Sequence, residues 1–236
     1  MLHCETGRSA SECETAAHEA QTLILLDFDG VIADSMDAYF GAFADVCTEM
    51  GYRRLNSRDA FLKLFEGNPI RQLLWAGFPL FRLRRVLNRF KPRLLEVNKL
   101  VRPFEGITEV VSTLARRFPV FVITSNVAEN VCSFLKRHGV LGVAGIVGSE
   151  THTSKVKKIR RVLRQYPNHR AYYVSDTKGD LIEARRAGAI PVAVAWGWHS
   201  LKKLAEGKPE LVVSTPKELR DLFTSSVPNL HSPAHG

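Results

Sequence analysis

Short apolar runs recur along the chain, and amphipathic helical patterns separate most of them. The first run, Thr22–Asp27, is almost wholly apolar, which is typical of a strand buried on both faces of a parallel sheet. Similar runs follow at Val120–Thr124, Val143–Val147, Ala171–Ser175, Ile190–Ala195 and Leu211–Val213. The segments between them predict helices that end at glycine or before proline: Ile107–Arg117, Val127–His138, Lys155–Tyr166 and Asp180–Ala187. This alternation predicts an α/β fold with a parallel sheet.

One segment, residues 36–103, interrupts the alternation and shows no convincing strand. Met36–Met50 has apolar residues at helical spacing, and Ser57 can cap a second helix that runs through Phe65. Two more helices, split by Pro92, are predicted to follow. We therefore predict a core over 22–35 and 104–223, a small all-α domain inserted over 36–103, and disordered polar tails over 1–21 and 224–236.

The composition is that of a globular protein, with 236 residues of which 45% are hydrophobic and 24% are charged. No apolar run approaches the ~18–20 residues of a membrane span. The first 21 residues lack the apolar stretch of a secretory signal. The cysteines are far apart, which is typical of free thiols in a reducing compartment: Cys4, Cys13, Cys47 and Cys132. We expect a cytoplasmic protein that does not contact a membrane.

The positive charge is concentrated in the inserted segment. The formal net charge is +9, and residues 36–103 carry 13 basic and 6 acidic side chains, an excess of +7. The interpretation we favour is a solvated helix face, followed by attraction of an anionic substrate. Nucleic-acid binding is the least favoured of the three interpretations.

Polar residues follow the carboxyl ends of the predicted strands, where parallel α/β sheets bind their ligands. Asp27 and Asp29 end the first strand, and residues i and i+2 of an extended chain face the same side. Two converging carboxylates repel each other unless a cation lies between them or one holds a proton. Both outcomes suit phosphate chemistry, since Mg²⁺ binds carboxylate and phosphate oxygens. Other strand ends and helix starts add Thr124, Ser125, Asn126, Lys155, Ser175, Asp176 and Asp180.

In chain order, DFDGVIADS, VITSN, a lysine that opens a helix, and SDTKGD resemble the four signature motifs of the haloacid dehalogenase-like (HAD) hydrolases. The resemblance covers about residues 22–223. The inserted helices resemble the C1 cap of that family, and DSMDAYFGAFADVCTEMG and VAWGWHSLKKLAEGKPELVVSTPKEL are similar to its phosphoglycolate phosphatase branch. The resemblance implies a Rossmann-like parallel sheet core with a small inserted all-α cap domain.

The resemblance also implies a role for each matched residue. Asp27 would be the nucleophile that forms an aspartyl-phosphate, and Asp29 would be the general acid and base. Phosphate would be bound by Thr124, Ser125 and Lys155, and Mg²⁺ by Asp27, the Asp29 backbone carbonyl, Asp176 and Asp180.

Three positions depart from the pattern of the family. Ser175 stands where glycine usually precedes the aspartate of the fourth motif. Val156 replaces a common proline, and the nearby Lys157 and Lys158 leave open which lysine belongs to the third motif. In the cap, the sequence Gly67-Asn68-Pro69 replaces a G-N-G loop, and we expect Asn68 and Arg71 to contact the substrate.

The leading hypothesis is a magnesium-dependent phosphatase that hydrolyses a small phosphorylated metabolite, such as 2-phosphoglycolate, through an aspartyl-phosphate intermediate. One alternative is a phosphomutase or pyrophosphatase of the same superfamily. Another is a non-catalytic relative whose basic cap binds a polyanion. The expected partner is the small phosphorylated metabolite, and neither a membrane nor nucleic acid is expected.

Overall fold

A six-stranded parallel sheet lies at the centre of the computed structural model, which describes residues 22–52, 56–66, 72–73 and 80–225. The strands of the chain are β1 (Thr22–Leu26), β2 (Ala33–Asp34), β3 (Arg102–Pro103), β4 (Val120–Ile123), β5 (Gly145–Val147), β6 (Arg170–Ser175), β7 (Ile190–Val194) and β8 (Leu211–Val213). The sheet order is β5-β4-β1-β6-β7-β8.

Helices surround this sheet and form the inserted segment. They are α1 (Met36–Glu49), α2 (Arg58–Lys63), α3 (Leu80–Asn98), α4 (Ile107–Arg117), α5 (Ala128–Arg137), α6 (Lys155–Leu163), α7 (Lys178–Ala187), α8 (Leu201–Ala205) and α9 (Pro216–Thr224). A short 3-10 helix over Leu64–Glu66 follows α2. Among the described residues, none of the helices is both long enough and apolar enough to cross a membrane.

Strand β1 is buried on both faces because helices cover both sides of the sheet. Leu23 and Leu25 pack into one apolar cluster with α6 and α7, whereas Ile24 and Leu26 belong to another with α4 and α5. The strand pairs in parallel with β4 on one side and with β6 on the other. The prediction of an α/β fold with a Rossmann-like parallel core is therefore confirmed. The residue that follows β1 lies at the middle of the sheet's carboxyl edge.

The inserted segment leaves and rejoins the core through a short antiparallel pair of strands. In that pair, Ala33 of β2 lies opposite Pro103 of β3, and Asp34 lies opposite Arg102. The expectation that residues 36–103 hold no strand is therefore wrong at β3. Two residues are too few to show a hydrophobic period, so the pattern could not indicate this strand. The proposed boundaries of the cap stay a prediction.

The prediction that Pro92 separates two helices is wrong, because α3 runs through it without a break. A proline inside a helix removes one N–H donor and crowds the preceding turn. Here the apolar side of α3 packs on α1, where the rings of Phe43 and Phe90 lie 6.0 Å apart. Tertiary packing therefore outweighs the cost of the proline.

The remaining boundaries agree with the predicted ones to within about three residues. The largest difference is in α6, which ends at Leu163 and not at Tyr166. Helix α7 begins two residues early because Thr177 caps it, its side chain accepting a hydrogen bond from the Asp180 backbone N–H. The predicted tails, apart from Thr224 and Ser225 at the end of α9, lie outside the described residues.

Candidate active site

The polar residues predicted to act together meet at the carboxyl edge of the sheet. Because β1 lies between β4 and β6, the residues that follow these three strands are neighbours. Asp180 comes from the first turn of α7, and Lys155 is the first residue of α6. The set at this edge is Asp27, Asp29, Thr124, Lys155, Asp176 and Asp180.

Lys155 joins two buried carboxylates. Its Nζ donates to Asp27 Oδ2 and to Asp180 Oδ2, at 2.5 Å each. Burial alone would lower the pKa of Lys155, but Asp180 and Asp27 raise it well above its usual value. Lys155 is therefore a fixed positive charge. It also holds the pKa of Asp180 below its usual value, against the effect of burial.

Asp27 is held through both of its carboxylate oxygens. Oδ1 accepts a hydrogen bond from the Phe28 backbone N–H at 2.8 Å, while Oδ2 contacts Lys155. Burial, together with Asp180 and Asp176, raises the pKa of Asp27, and Lys155 opposes this rise. Because one lysine faces two carboxylates, the site keeps an excess of negative charge that a second cation would relieve.

The three neighbouring lysines of α6 occupy different places. Lys155 reaches Asp27 and Asp180, and Lys157 is exposed. Lys158 is buried and donates to the backbone carbonyl of Thr124. The geometry therefore favours Lys155 as the lysine of the third motif. Ser175, in the place of the usual glycine, donates to Asp180 Oδ2 at 3.3 Å and so belongs to the same network.

Asp176 is fully buried between two glycines. A Cβ on Gly30, whose φ is +77°, would collide with the Asp176 carboxylate, and one on Gly197 would collide with Asp176 and the Gly30 carbonyl. Asp176 Oδ2 accepts from the Trp198 backbone N–H at 2.8 Å, whereas Oδ1 is buried without a described partner. Burial raises the pKa of Asp176 to about 7.

Asp29 lies beside hydroxyl groups of the first inserted helix. Burial raises its pKa to about 6, and the nearby Ser35 and Tyr39 hydroxyls limit the rise. The Tyr39 hydroxyl donates to Asn98 Oδ1 at 2.6 Å and accepts from Asn126 Nδ2 at 2.8 Å. Tyr39 thus connects both ends of the helical segment to the loop after β4.

Thr124 is prepared to donate a hydrogen bond. Its Oγ1 accepts from the Asn126 backbone N–H at 2.9 Å, so its own hydroxyl proton remains for another acceptor. The Thr124 backbone N–H donates to Val147 at the end of β5. Ser125, predicted to bind phosphate with Thr124, is exposed on the same turn.

The oxygen atoms at this edge suit a hard divalent cation. Asp29 Oδ1 and Asp176 Oδ1 are both buried without a hydrogen-bond partner among the described residues. In that part of the chain no group of three or more His, Cys, Asp and Glu side chains forms a ready metal site. The donors that fit are two carboxylates, Asp27 and Asp176, with a backbone carbonyl, and magnesium prefers such hard oxygen donors. Asp27 and Asp180 each also accept a hydrogen bond from Lys155 through Oδ2.

Comparison with known proteins identifies the family of the chain. Residues 24–194 match the model of the haloacid dehalogenase-like hydrolase family. The chain belongs to this family. The predicted HAD-like phosphatase is thus confirmed at the level of the family, whose phosphatases generally use a divalent metal.

Three relatives illustrate the similarity. A phosphoglycolate phosphatase of Synechococcus elongatus is 27% identical over 209 residues, which cover 85% of this chain and 96% of that protein. A phosphoglycolate phosphatase of Pseudomonas syringae pv. tomato is 22% identical over 215 residues, with coverages of 84% and 78%. A HAD-like hydrolase structure from Streptococcus pneumoniae has a TM-score of 0.74 at 20% identity and covers 87% of this chain and 99% of that one.

Sequence reasoning assigned no site residue to the loop after β7, although this loop packs the HAD-like core against the inserted helices. The Trp198 ring lies 4.8 Å from Phe65 and 5.7 Å from Phe61. His199 Nδ1 accepts from the Lys178 N–H, so its Nε2 is the protonated nitrogen that donates to the Leu62 carbonyl at 3.1 Å. A lone histidine is most often a surface residue, but His199 is buried and only 4% exposed. Its position after a strand end was the available signal.

Two further site predictions cannot be placed. Asn68 and Arg71, the expected substrate contacts of the cap, lie outside the described residues. Their roles therefore stay predictions.

The close packing of Gly30 and Gly197 against Asp176 predicts that Gly30→Ala lowers both stability and activity. A positive φ costs a non-glycine residue about 1–2 kcal/mol, and the new Cβ must also displace the Asp176 carboxylate. Gly139→Ala is the matched control, because its φ is +68° and nothing lies within 4 Å. Urea unfolding should show a lower free energy of unfolding for both variants, and phosphatase assays should show lower activity only for Gly30→Ala. Equal activities of the two variants would contradict the role of Gly30 in placing Asp176.

The raised pKa values predict how stability depends on pH in the absence of metal. Asp29 and Asp176 titrate near pH 6 and 7 in the folded chain but near 3.8 when unfolded. The folded state therefore keeps protons that the unfolded state loses, so stability falls as the pH rises through about 4 to 7. Because Mg²⁺ would bind the ionised carboxylates, it should raise the melting temperature more at pH 8 than at pH 5.

Thermal unfolding with EDTA or with MgCl₂ at the two pH values measures this effect. Asp176→Asn serves as the control, because it removes one of the titrating carboxylates. In this variant, the fall of stability with rising pH and the rise of the melting temperature with Mg²⁺ should both be smaller. A shift with Mg²⁺ that is the same at both pH values, or unchanged in Asp176→Asn, would contradict the explanation.

Proposed function

We propose that this protein is a magnesium-dependent phosphomonoester hydrolase that acts on a small phosphorylated metabolite through an aspartyl-phosphate. The observation that carries the proposal is the Asp27 carboxylate, buried and oriented by the Phe28 N–H and Lys155, with Asp29 two residues further on. A two-step phosphoryl transfer needs a nucleophile and a general acid, and Asp27 and Asp29 are suited to supply them.

In the first step, an Asp27 oxygen attacks phosphorus and forms an acyl-phosphate bond. The ester P–O bond breaks, its electron pair leaves on the alcohol oxygen, and Asp29 gives that oxygen its proton. A pKa of about 6 supports this role, because Asp29 then holds a proton in part of the molecules near neutral pH. Lys155 and the Thr124 hydroxyl would stabilise the charge on the transferred phosphoryl oxygens.

In the second step, Asp29 acts as a base. It takes a proton from a water molecule, whose oxygen attacks phosphorus while the bond between phosphorus and the Asp27 oxygen breaks. Inorganic phosphate leaves and the Asp27 carboxylate is restored. The proton that Asp29 lost to the alcohol in the first step is thereby replaced, so the cycle closes.

We propose Asp27, the Asp29 carbonyl and Asp176 as the residues that would hold Mg²⁺, with Asp180 beside them. When bound, the ion neutralises negative charge and polarises phosphoryl oxygens. The unpartnered, buried Oδ1 of Asp176 supports this assignment. Asp180 would contribute by holding Lys155 in place.

The relatives and the charge of the inserted segment support a class of substrate. Two of the similar proteins are phosphoglycolate phosphatases, which supports 2-phosphoglycolate as the substrate. The +7 charge excess of residues 36–103 supports an anionic substrate more generally.

The chemistry predicts different effects at the two aspartates. Asp27→Asn should abolish turnover, because an amide is a poor nucleophile. Asp29→Asn keeps the backbone carbonyl and removes the proton shuttle, so a loss of roughly 10²–10⁴ in kcat is expected. Phosphate release from p-nitrophenyl phosphate, with Mg²⁺ and after EDTA treatment, measures both effects. Acid-quenched protein should carry radiolabel from the substrate on Asp27.

Three results would overturn this assignment: full activity in EDTA, turnover by Asp27→Asn, or a label on another residue. Transfer of the phosphoryl group to a second metabolite without phosphate release would favour a phosphomutase. Release from pyrophosphate alone would favour a pyrophosphatase, and an inactive protein that binds polyphosphate would favour the non-catalytic alternative.

The substrate assignment predicts a selective effect at Arg71. An arginine can bind a substrate carboxylate in bidentate fashion, and loss of one charged hydrogen bond costs about 1.5–3 kcal/mol, or ~10–150-fold in kcat/KM. Arg71→Ala should show this loss with 2-phosphoglycolate and a much smaller one with p-nitrophenyl phosphate, which lacks the carboxylate. Equal losses on the two substrates would exclude Arg71 as the group that recognises the carboxylate.

A further inference from the structure

Lys158 is a buried lysine that the proposed chemistry does not use. It lies one turn after Lys155 on the same face of α6, among Ile159 and Val162, and is 1% exposed. A lysine in such a position loses hydration that its partners must replace, whereas an apolar residue would simply pack. Among the described residues its ammonium makes no ion pair within 4 Å, and its hydrogen bond goes to the Thr124 carbonyl.

The position of the Thr124 carbonyl explains why it needs a donor. Thr124 directly follows β4, and its N–H makes the last bond to β5, through Val147. The carbonyl of the same residue is bound by Lys158 from the neighbouring helix. Lys158 therefore fixes the peptide at which the strand turns into the loop that presents the Thr124 hydroxyl.

The surrounding charges keep Lys158 able to donate. Burial and the nearby Lys155 lower the pKa of Lys158 to about 8, while Asp27, Asp180 and Glu150 limit the fall. The side chain is thus mostly an ammonium at neutral pH. Hydrogen bonds from a charged donor are shorter and stronger than neutral ones, so this contact can hold the peptide firmly.

We propose that Lys158 is a positioning residue of the phosphoryl site, which holds the Thr124 carbonyl and thereby aims the Thr124 hydroxyl at a phosphate oxygen. The inference rests on the proposed function, since it assumes that phosphate binds beside Thr124 and Asp27. Lys155 contacts the nucleophile itself, whereas Lys158 acts through the peptide of Thr124.

The direct test is the affinity for inorganic phosphate in the presence of Mg²⁺, measured by calorimetry. Lys158→Met removes the donor atom and keeps an unbranched apolar chain in its place, and should weaken phosphate binding and raise KM by about 10–100-fold. Lys157→Met is the matched control, because it removes an exposed lysine of the same helix. Lys158→Gln has about the same length as Lys158→Met but keeps an N–H donor, so its phosphate affinity should fall between those of wild type and Lys158→Met.

A double-mutant cycle with Thr124→Val separates positioning from a merely structural role. If Lys158 acts through Thr124, the double variant should bind phosphate little worse than the single variant with the lower affinity, because both single substitutions remove the same interaction. Multiplied losses would overturn the proposal. A phosphate affinity of Lys158→Met within about twofold of that of Lys157→Met would also overturn the proposal. So would the failure of both Lys158 variants to fold.

The same experiment distinguishes this inference from the proposed function. A wild-type protein that binds phosphate but hydrolyses no phosphomonoester would refute the phosphatase, while the affinities of the variants would still decide the role of Lys158. If wild type and Lys158→Met both hydrolyse p-nitrophenyl phosphate at the same rate and with the same KM, only the proposed role of Lys158 is refuted, and the phosphatase stands.

Discussion

Lys155 shares one positive charge between two buried carboxylates, Asp27 and Asp180, and the arrangement at the sheet edge depends on this interaction. The three residues come from three elements: the end of β1, the start of α6 and the first turn of α7. Without the lysine, the two carboxylates would repel each other in a medium that screens charge poorly. The bridge also leaves negative charge unbalanced, because Asp29 and Asp176 lie beside it. This imbalance gives the edge its capacity to bind a cation.

The sheet topology decides which residues can meet, and the loops decide how they are held. Parallel pairing of β1 with β4 and β6 places three strand ends side by side, so Asp27, Thr124 and Asp176 need no long side chains to converge. The loop after β7 then performs two tasks. Its backbone N–H at Trp198 binds Asp176, while the Trp198 ring packs among the aromatic residues of the inserted helices. A displacement of those helices would therefore move Trp198 and change the position of the Asp176 carboxylate.

Much of the core could be predicted from sequence because its elements have strong periods. The wholly apolar β1 and the aspartates directly after it locate the sheet edge without any knowledge of tertiary contacts. The failures have a common physical cause, which is dependence on a partner remote in the chain. Helix α3 continues through Pro92 because α1 packs against it, and β3 exists only as the partner of β2. His199 is likewise buried in contact with the Leu62 carbonyl, a distant partner that no local pattern indicates.

The position of Lys158 could not be predicted from the sequence for the same reason. In the sequence it is one of several basic residues on a helix, and its charge alone predicts an exposed position. Its burial is explained only by the Thr124 carbonyl, 34 residues earlier in the chain. Two lysines one turn apart on α6 thus reach two different strand ends, β1 through Asp27 and β4 through Thr124. Because one rigid helix carries both, any movement of α6 changes the nucleophile and the loop of Thr124 together.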